Sequence, residues 1–193
     1  MPFFRYILAL VGLLMAVLPQ PRQALADAAI HAPDNPGLAG ILSEARGGVL
    51  YHDAGLITSH TEGGADINAE VLFTSPEFLS FVFSPRPHLG VSANTSGNTS
   101  QLYFGLSWTA DIYENFFAEL TFGGTVHNGK RNSNTAGRND LGCRLLFRES
   151  ISVGVIVGAR HSISLMFDHI SNADLCDRNH GQDTAGIRYG IRF

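Results

Sequence analysis

Between Gln101 and Ile112 the chain alternates without a break. Leu102, Phe104, Leu106, Trp108, Ala110 and Ile112 fall on one side, and Gln101, Tyr103, Gly105, Ser107, Thr109 and Asp111 on the other. Side chains two apart share a face only when the backbone is extended, so this period dictates a long strand with one oily and one polar face. The run Phe116 to His127 repeats it, with Phe116, Ala118, Leu120, Phe122, Gly124 and Val126 set against Phe117, Glu119, Thr121, Gly123, Thr125 and His127. Ile67, Ala69, Val71 and Phe73 alternate in the same way with Asn68, Glu70, Leu72 and Thr74, and helical spacing is hard to find from Ile67 onward.

Two architectures can hide an oily face of this kind. A soluble sandwich buries it between two sheets, whereas an outer-membrane barrel turns it toward lipid and keeps the polar face inside. Strands of about ten residues or more are of barrel length, longer than the five or six usual in soluble sheets. Glu70, Glu119, Arg144, Arg148, Arg188 and Arg192 on the polar face suit a narrow interior filled by ion pairs, and the chain ends on Phe193, an aromatic residue, as many bacterial outer-membrane barrels do. The 21 glycines and 16% charged residues fit either architecture. The reading is an all-β, eight-stranded antiparallel transmembrane β-barrel, with strands near 42–53, 66–75, 80–93, 100–112, 115–127, 141–157, 162–172 and 183–193; the soluble sandwich is the alternative.

The N-terminus has the layout of an export signal. Arg5 supplies positive charge, Tyr6 to Val17 is an apolar core, and Ala24-Leu25-Ala26 is a small-x-small cleavage site. The apolar run is shorter than the roughly 20 residues of a spanning helix, which argues against an anchor. Residues 1–26 are therefore expected to be removed, leaving 27–193 as one barrel domain with a loose leader at 27–40 that contains Pro33 and Pro36. Removal takes two positive charges and no negative ones, so the formal net charge of −4 becomes −6, a balance that argues against a nucleic-acid partner.

The connections alternate in character. Residues 54–65, 93–99, 128–139 and 173–182 are long and polar, whereas 113–115 and 159–161 are short. Barrels of this class have short periplasmic turns and long outside loops, so the seventh strand runs outward. Along it Ile163, Leu165, Phe167, His169 and Ser171 form one stripe, and Asp183 opens the next, followed by Ala185, Ile187, Tyr189, Ile191 and Phe193. A base, a hydroxyl and an acid therefore share the lipid-side surface, at the level where outer-leaflet sugar headgroups meet acyl chains. Polar groups facing lipid are costly unless paired or functional. The pattern alone leaves open whether these three bond headgroups or do chemistry. A second anomaly lies on the sixth strand, where the phase that turns Cys143, Leu145, Phe147, Ile151, Val153 and Val155 outward also turns out Glu149. A bulge near Arg148, or an Arg148–Glu149 pair, would relieve that placement.

The segment Phe167-Asp168-His169-Ile170-Ser171-Asn172-Ala173, the Asn179-x-Gly181 that follows, and an acid fourteen residues after the histidine resemble the lipid A 3-O-deacylases (PagL-like) of the Gram-negative outer membrane. The resemblance is good over the C-terminal third and looser over the rest as an eight-stranded barrel. It implies an esterase that removes the acyl chain ester-linked at the 3-position of lipid A, with lipopolysaccharide as substrate and the extracellular leaflet as its place of work. By position it implies Ser171 as nucleophile, His169 as general base and Asp183 as the residue orienting the imidazole. Better-known members carry glutamate at the acid position. Aspartate is one methylene shorter, so a longer contact to His169 or a shifted backbone is expected. Asp174 also stands where a small residue would be expected.

Physical chemistry supports the same roles. A serine hydroxyl attacks well only when a neighbouring base takes its proton, and that base needs an acceptor on its other nitrogen to fix the tautomer. Side chains two apart on a strand face are about 7 Å apart at Cβ, within reach of an imidazole, and Asp183 would come from the adjacent antiparallel strand. The oxyanion needs donors; candidates are the Asn172 and Asn179 side chains and the backbone amides near Ala173 and Asp174, with ordinary loop bonding as the competing reading for both asparagines. The chemistry calls for no cofactor and no metal. Cys143 and Cys176 are the only cysteines; export to an oxidising compartment allows a disulfide, and two free thiols remain the alternative. His52, His60, His88, His127, His161 and His180 lack ligand spacing and read as loop or lumen residues. A non-catalytic barrel whose loops bind a surface is the competing function, and the sequence leaves a homodimer open.

Overall fold

The computed structural model describes residues 40–133 and 135–193. Eight strands, β1 (Leu42–Tyr51), β2 (Ala65–Phe73), β3 (Arg86–Asn94), β4 (Gln101–Tyr113), β5 (Phe116–His127), β6 (Leu145–Val157), β7 (His161–Ser171) and β8 (Gln182–Arg192), follow one another around a closed barrel. Every neighbour pair is antiparallel, and β8 closes the ring by pairing with β1. This is the eight-stranded barrel that the alternation demands. The expected export signal and nearly all of the expected leader lie outside the described residues.

Burial follows the alternation. Gln101, Tyr103 and Ser107 of β4 are buried while Leu102 and Phe104 are exposed, and Phe117, Glu119 and Thr121 of β5 are buried while Phe116 and Phe122 are exposed. The oily face is thus the outside, and the interior holds ions. Arg46 bonds Glu119 at 2.6 and 2.8 Å, Glu44 at 2.9 Å and Glu70 at 3.2 Å. Arg188 reaches Glu70 at 2.9 Å, Ser152 at 2.9 Å and Glu119 at 3.3 Å. Arg86 adds contacts to Glu44 and Glu119. A lone ion in such a place would cost several kcal/mol, so the charges are stable only as a set. Farther toward the loop-rich end, Arg148 pairs with Asp168 at 2.8 Å and stacks over the Tyr103 ring at 3.7 Å. Gly90 makes room for that ring, because a Cβ there would collide with it.

Three expectations are corrected. The third strand starts at Arg86 rather than near residue 80, because Glu77–Val82 is a 3-10 helix led by Pro76, and Phe83 and Ser84 then take left-handed φ values of 68° and 50°. Its apolar run mimics a strand, yet Phe78, Phe81 and Phe83 are exposed, and the segment is tied to the barrel by a Trp108 Nε1–H bond to the Val82 carbonyl. The sixth strand starts at Leu145 rather than 141; Leu141 turns inward instead and packs on Leu146 and Ile170. Arg144 therefore does not line the interior: it is exposed at the rim and donates to the carbonyls of His127 and Gly129.

Candidate active site

β7 and β8 pair so that His169 lies directly opposite Asp183. His169 Nδ1 and Asp183 Oδ1 are 2.7 Å apart, so the shorter aspartate reaches the ring without the lengthened contact expected of it. Both side chains belong to the outward stripe of Leu165 and Ile187, yet His169 is 7% exposed and Asp183 is fully buried. The cover is the β1–β2 connection, residues 52–64, hereafter loop 1. Its Ile57 and Thr58 amides donate to Asp183 Oδ2 at 2.5 and 2.8 Å. The polar pair is therefore roofed rather than open to lipid. Gly181 lets this roof approach: its φ of +69° suits glycine, and a Cβ there would stand 2.8 Å from Thr58 Cγ2 and 3.4 Å from His169 Cε1.

Ser171 is the last residue of β7, half-buried, and on the same face as His169. Among the described residues no hydrogen bond joins its hydroxyl to the ring, so the structure brings the base and acid into contact and the serine only into proximity along the strand. Immediately after it the chain turns tightly. Ala173 and Asp174 have φ of 53° and 62°, and the Leu175 amide closes the turn on the Asn172 carbonyl at 3.0 Å. Left-handed backbone at two non-glycine residues costs on the order of 1 kcal/mol each, and such strain gathers at functional sites. Asn172 is buried, and both N–H groups of its side chain are engaged, by the carbonyls of Leu141 and Arg178. It is a staple for the loop, with no side-chain donor left over for an oxyanion. Asn179 accepts from the Asn172 amide and donates to Asp174 at 2.8 Å, which leaves one of its two N–H groups free of these contacts. Cys143 and Cys176 are joined as a disulfide with Cα atoms 6.0 Å apart, tying the β5–β6 connection to the one that carries Asn179. A cavity of about 540 Å³ beside this disulfide is lined by Arg131, Asn132, Leu175, Asp177 and Arg178 among others, and includes none of His169, Ser171 or Asp183.

Glu149 is placed where the phase of β6 put it. The β6–β7 register is continuous, so no bulge rescues it, and Arg148 faces the other way toward Asp168. It stands directly across from His169, half-buried, with Oε2 buried and unpartnered. Its oddity in the alternation was real, and the structure sets it opposite His169. The two amides on Asp183, by contrast, had no sequence signal, because a backbone N–H is the same in every residue but proline. Among the described residues no three His, Cys, Asp or Glu side chains converge as a metal site.

A family model for lipid A 3-O-deacylase (PagL) matches residues 94–192, the span that holds β4 to β8 and all of His169, Ser171 and Asp183. A search of curated proteins finds no significant match. Among solved structures, the outer membrane enzyme PagL superposes with a TM-score of 0.59 at 16% identity, over 78% of this chain and 100% of that one. At that identity the likeness speaks for the fold.

Proposed function

Because the chain belongs to the lipid A 3-O-deacylase (PagL) family, we propose that it hydrolyses the 3-O-linked acyl ester of lipid A at the extracellular leaflet of the bacterial outer membrane, as a serine esterase using Ser171, His169 and Asp183. The observation that carries this reading is the buried His169–Asp183 pair on the outward face of the barrel, 2.7 Å apart and two residues along the strand from a hydroxyl. With Nδ1 donating to the carboxylate, the ring keeps Nε2 as its acceptor, which is the tautomer a general base needs.

Ser171 Oγ adds to the ester carbonyl as its proton moves to His169. The tetrahedral oxyanion then collapses, the imidazolium protonates the departing sugar 3-oxygen, and the acyl group stays on Ser171. Water, deprotonated by the same ring, releases the fatty acid. Donors for the oxyanion come from the strained turn after Ser171: the Ala173 and Asp174 amides, and the remaining N–H of Asn179. The acyl chain lies along Phe167 and Leu165, the apolar stripe that leads up to the site.

The test is mass spectrometry of lipid A from cells carrying the native chain or Ser171→Ala. Loss of one hydroxyacyl chain with the native protein and none with the variant is expected. Equal deacylation by both removes Ser171 from the mechanism. No deacylation by either favours the alternative of a non-catalytic barrel.

A further inference from the structure

Loop 1 lies outside the residues that the family model matches, yet it makes most of the contacts that fix the acid of the site. The two oxygens of Asp183 have separate tasks. Oδ1 faces His169, and Oδ2 accepts the Ile57 and Thr58 amides, while the Asp183 backbone carbonyl accepts the Ala54 amide at 2.7 Å. A carboxylate on a single carbon can rotate about its last bond, and any rotation short of a half-turn carries its oxygens out of line with the ring. Two charge-assisted bonds to one oxygen stop that rotation, and the same backbone keeps water from the pair.

The loop is itself pinned from the barrel mouth. Asp53 Oδ2 accepts the Thr61 and Glu62 amides at 2.7 and 2.8 Å and the Asn139 side chain at 3.2 Å. Glu62, fully buried, accepts the Thr99 amide at 2.9 Å and the Asn139 amide at 3.1 Å, and pairs with His52 at 3.1 Å and Arg138 at 3.2 Å. His52 in turn bonds Asp66 at 2.8 Å. Three connections, β1–β2, β3–β4 and β5–β6, thus meet on one carboxylate. Burial opposes charge on both groups, but their bonds overcome it: the Asp66 and Glu62 carboxylates raise His52 to about 9, and His52 with the Thr99 and Asn139 amides lowers Glu62 to about 2. The clasp is an ion pair across the whole range in which a cell surface is bathed.

We propose that loop 1 is the positioning element of the hydrolase: the Ile57 and Thr58 amides hold Asp183 against His169, and the Glu62 clasp holds the loop that presents them. The proposal rests on the catalytic reading above. It also accounts for the aspartate, since a carboxylate one methylene shorter than glutamate is met by a loop that comes down onto it. The two amides are spent on Asp183 Oδ2 and Glu62 on its clasp, so their effect is on turnover through Asp183.

The test uses the full chain folded in detergent, with folding checked by heat-modifiable electrophoretic mobility. Thr58→Pro deletes one amide and Glu62→Gln removes the charge at the clasp. Each is expected to lower kcat on purified lipid A roughly 10- to 100-fold, the effect of an ångström-scale misplacement, with KM changed less than about twofold. In an Asp183→Asn background neither is expected to reduce kcat further, because the group they position is already gone. Native kcat in folded Thr58→Pro, or losses that multiply in the Asp183→Asn background, overturns the proposal; if Thr58→Pro does not fold, Glu62→Gln is judged by the same two criteria. An active Ser171→Ala would instead overturn the catalytic reading, so the two failures are told apart.

Discussion

Two of the clusters of buried charge among the described residues lie on opposite faces of the barrel wall, and they differ in how many bonds their members share. In the lumen, Arg46, Arg188, Glu70 and Glu119 bond one another several times over. On the outer face, His169 uses Nδ1 on Asp183, and Glu149 keeps a buried oxygen with no partner. The lumen set has leftover atoms too, Glu70 Oε2 and Arg188 Nε, yet each of its four charges meets at least two opposite partners, which holds it closed. A pair with an unused ring nitrogen, next to a hydroxyl and a strained turn, has capacity left for a substrate. The inside of the wall holds the fold together, and the outside of the same wall carries the proposed chemistry.

The contrast breaks most visibly if the two clusters are disabled in turn. Asp183→Asn leaves the lumen untouched and is expected to lower kcat about 1,000- to 10,000-fold while the thermal unfolding of the barrel, followed by gel mobility, stays near native. Glu119→Gln should do the opposite. It takes one carboxylate from both Arg46 and Arg188, which keep Glu70 (and, for Arg46, Glu44), and costs about 2–3 kcal/mol of stability, read in a urea titration into lipid vesicles, with kcat retained in the molecules that fold. Reducing the Cys143–Cys176 bond is expected to remove about 2–4 kcal/mol from the anchoring of the two outer connections, seen as earlier proteolysis of the segment holding Asn179 while the strands survive. Glu149→Gln removes a negative charge facing the imidazolium of the transition state; a loss of about 1 kcal/mol, roughly fivefold in kcat, is expected in steady-state assays.

The smallest effect sharpens the comparison through pH. His52, in loop 1, faces Asp66 of β2 and Glu62 of its own loop, and Arg138 of the β5–β6 connection lies on the far side of Glu62. Its folded pKa of about 9 stands above the ordinary 6.5, so its contribution is complete below about 6.5 and is lost as pH rises through 9. Glu62, lowered to about 2 from 4.5, contributes fully above 4.5 and fails only as pH falls through 2. Protease cleavage within loop 1 is therefore expected to be slow and constant from about 4.5 to 6.5 and to quicken as pH rises through 9. A cleavage rate that stays constant as pH rises from 6.5 through 9 would remove the His52 ion pair from the account.

The strands were legible because period-two patterning is a direct image of backbone geometry, and a barrel with a filled interior imposes it on every strand. The start of β3 was not, since Phe78, Leu79, Phe81 and Val82 are as apolar as a strand; what stops them is Pro76 before and the left-handed Phe83 and Ser84 after. In the site, the facing of His169, Ser171 and Asp183 followed from parity along β7 and β8, and so did that of Glu149, whose exposure to lipid was an oddity until His169 was found opposite. Asn172 looked like a donor because its type can donate; only the neighbouring carbonyls of Leu141 and Arg178, from distant parts of the chain or the far side of a turn, show that its donors are taken. The roof over Asp183 was hidden for a deeper reason. Its contacts come from main-chain amides more than a hundred residues away, and no residue type encodes them.

The most direct measurement is covalent labelling with a fluorophosphonate, which forms an ester with a serine only where a base activates it. In detergent-folded protein the adduct is expected on the peptide carrying Ser171, and to vanish in His169→Asn and in Asp183→Asn. An adduct on another serine, or labelling of Ser171 that survives loss of His169, would contradict a proton relay on the outer wall of the barrel.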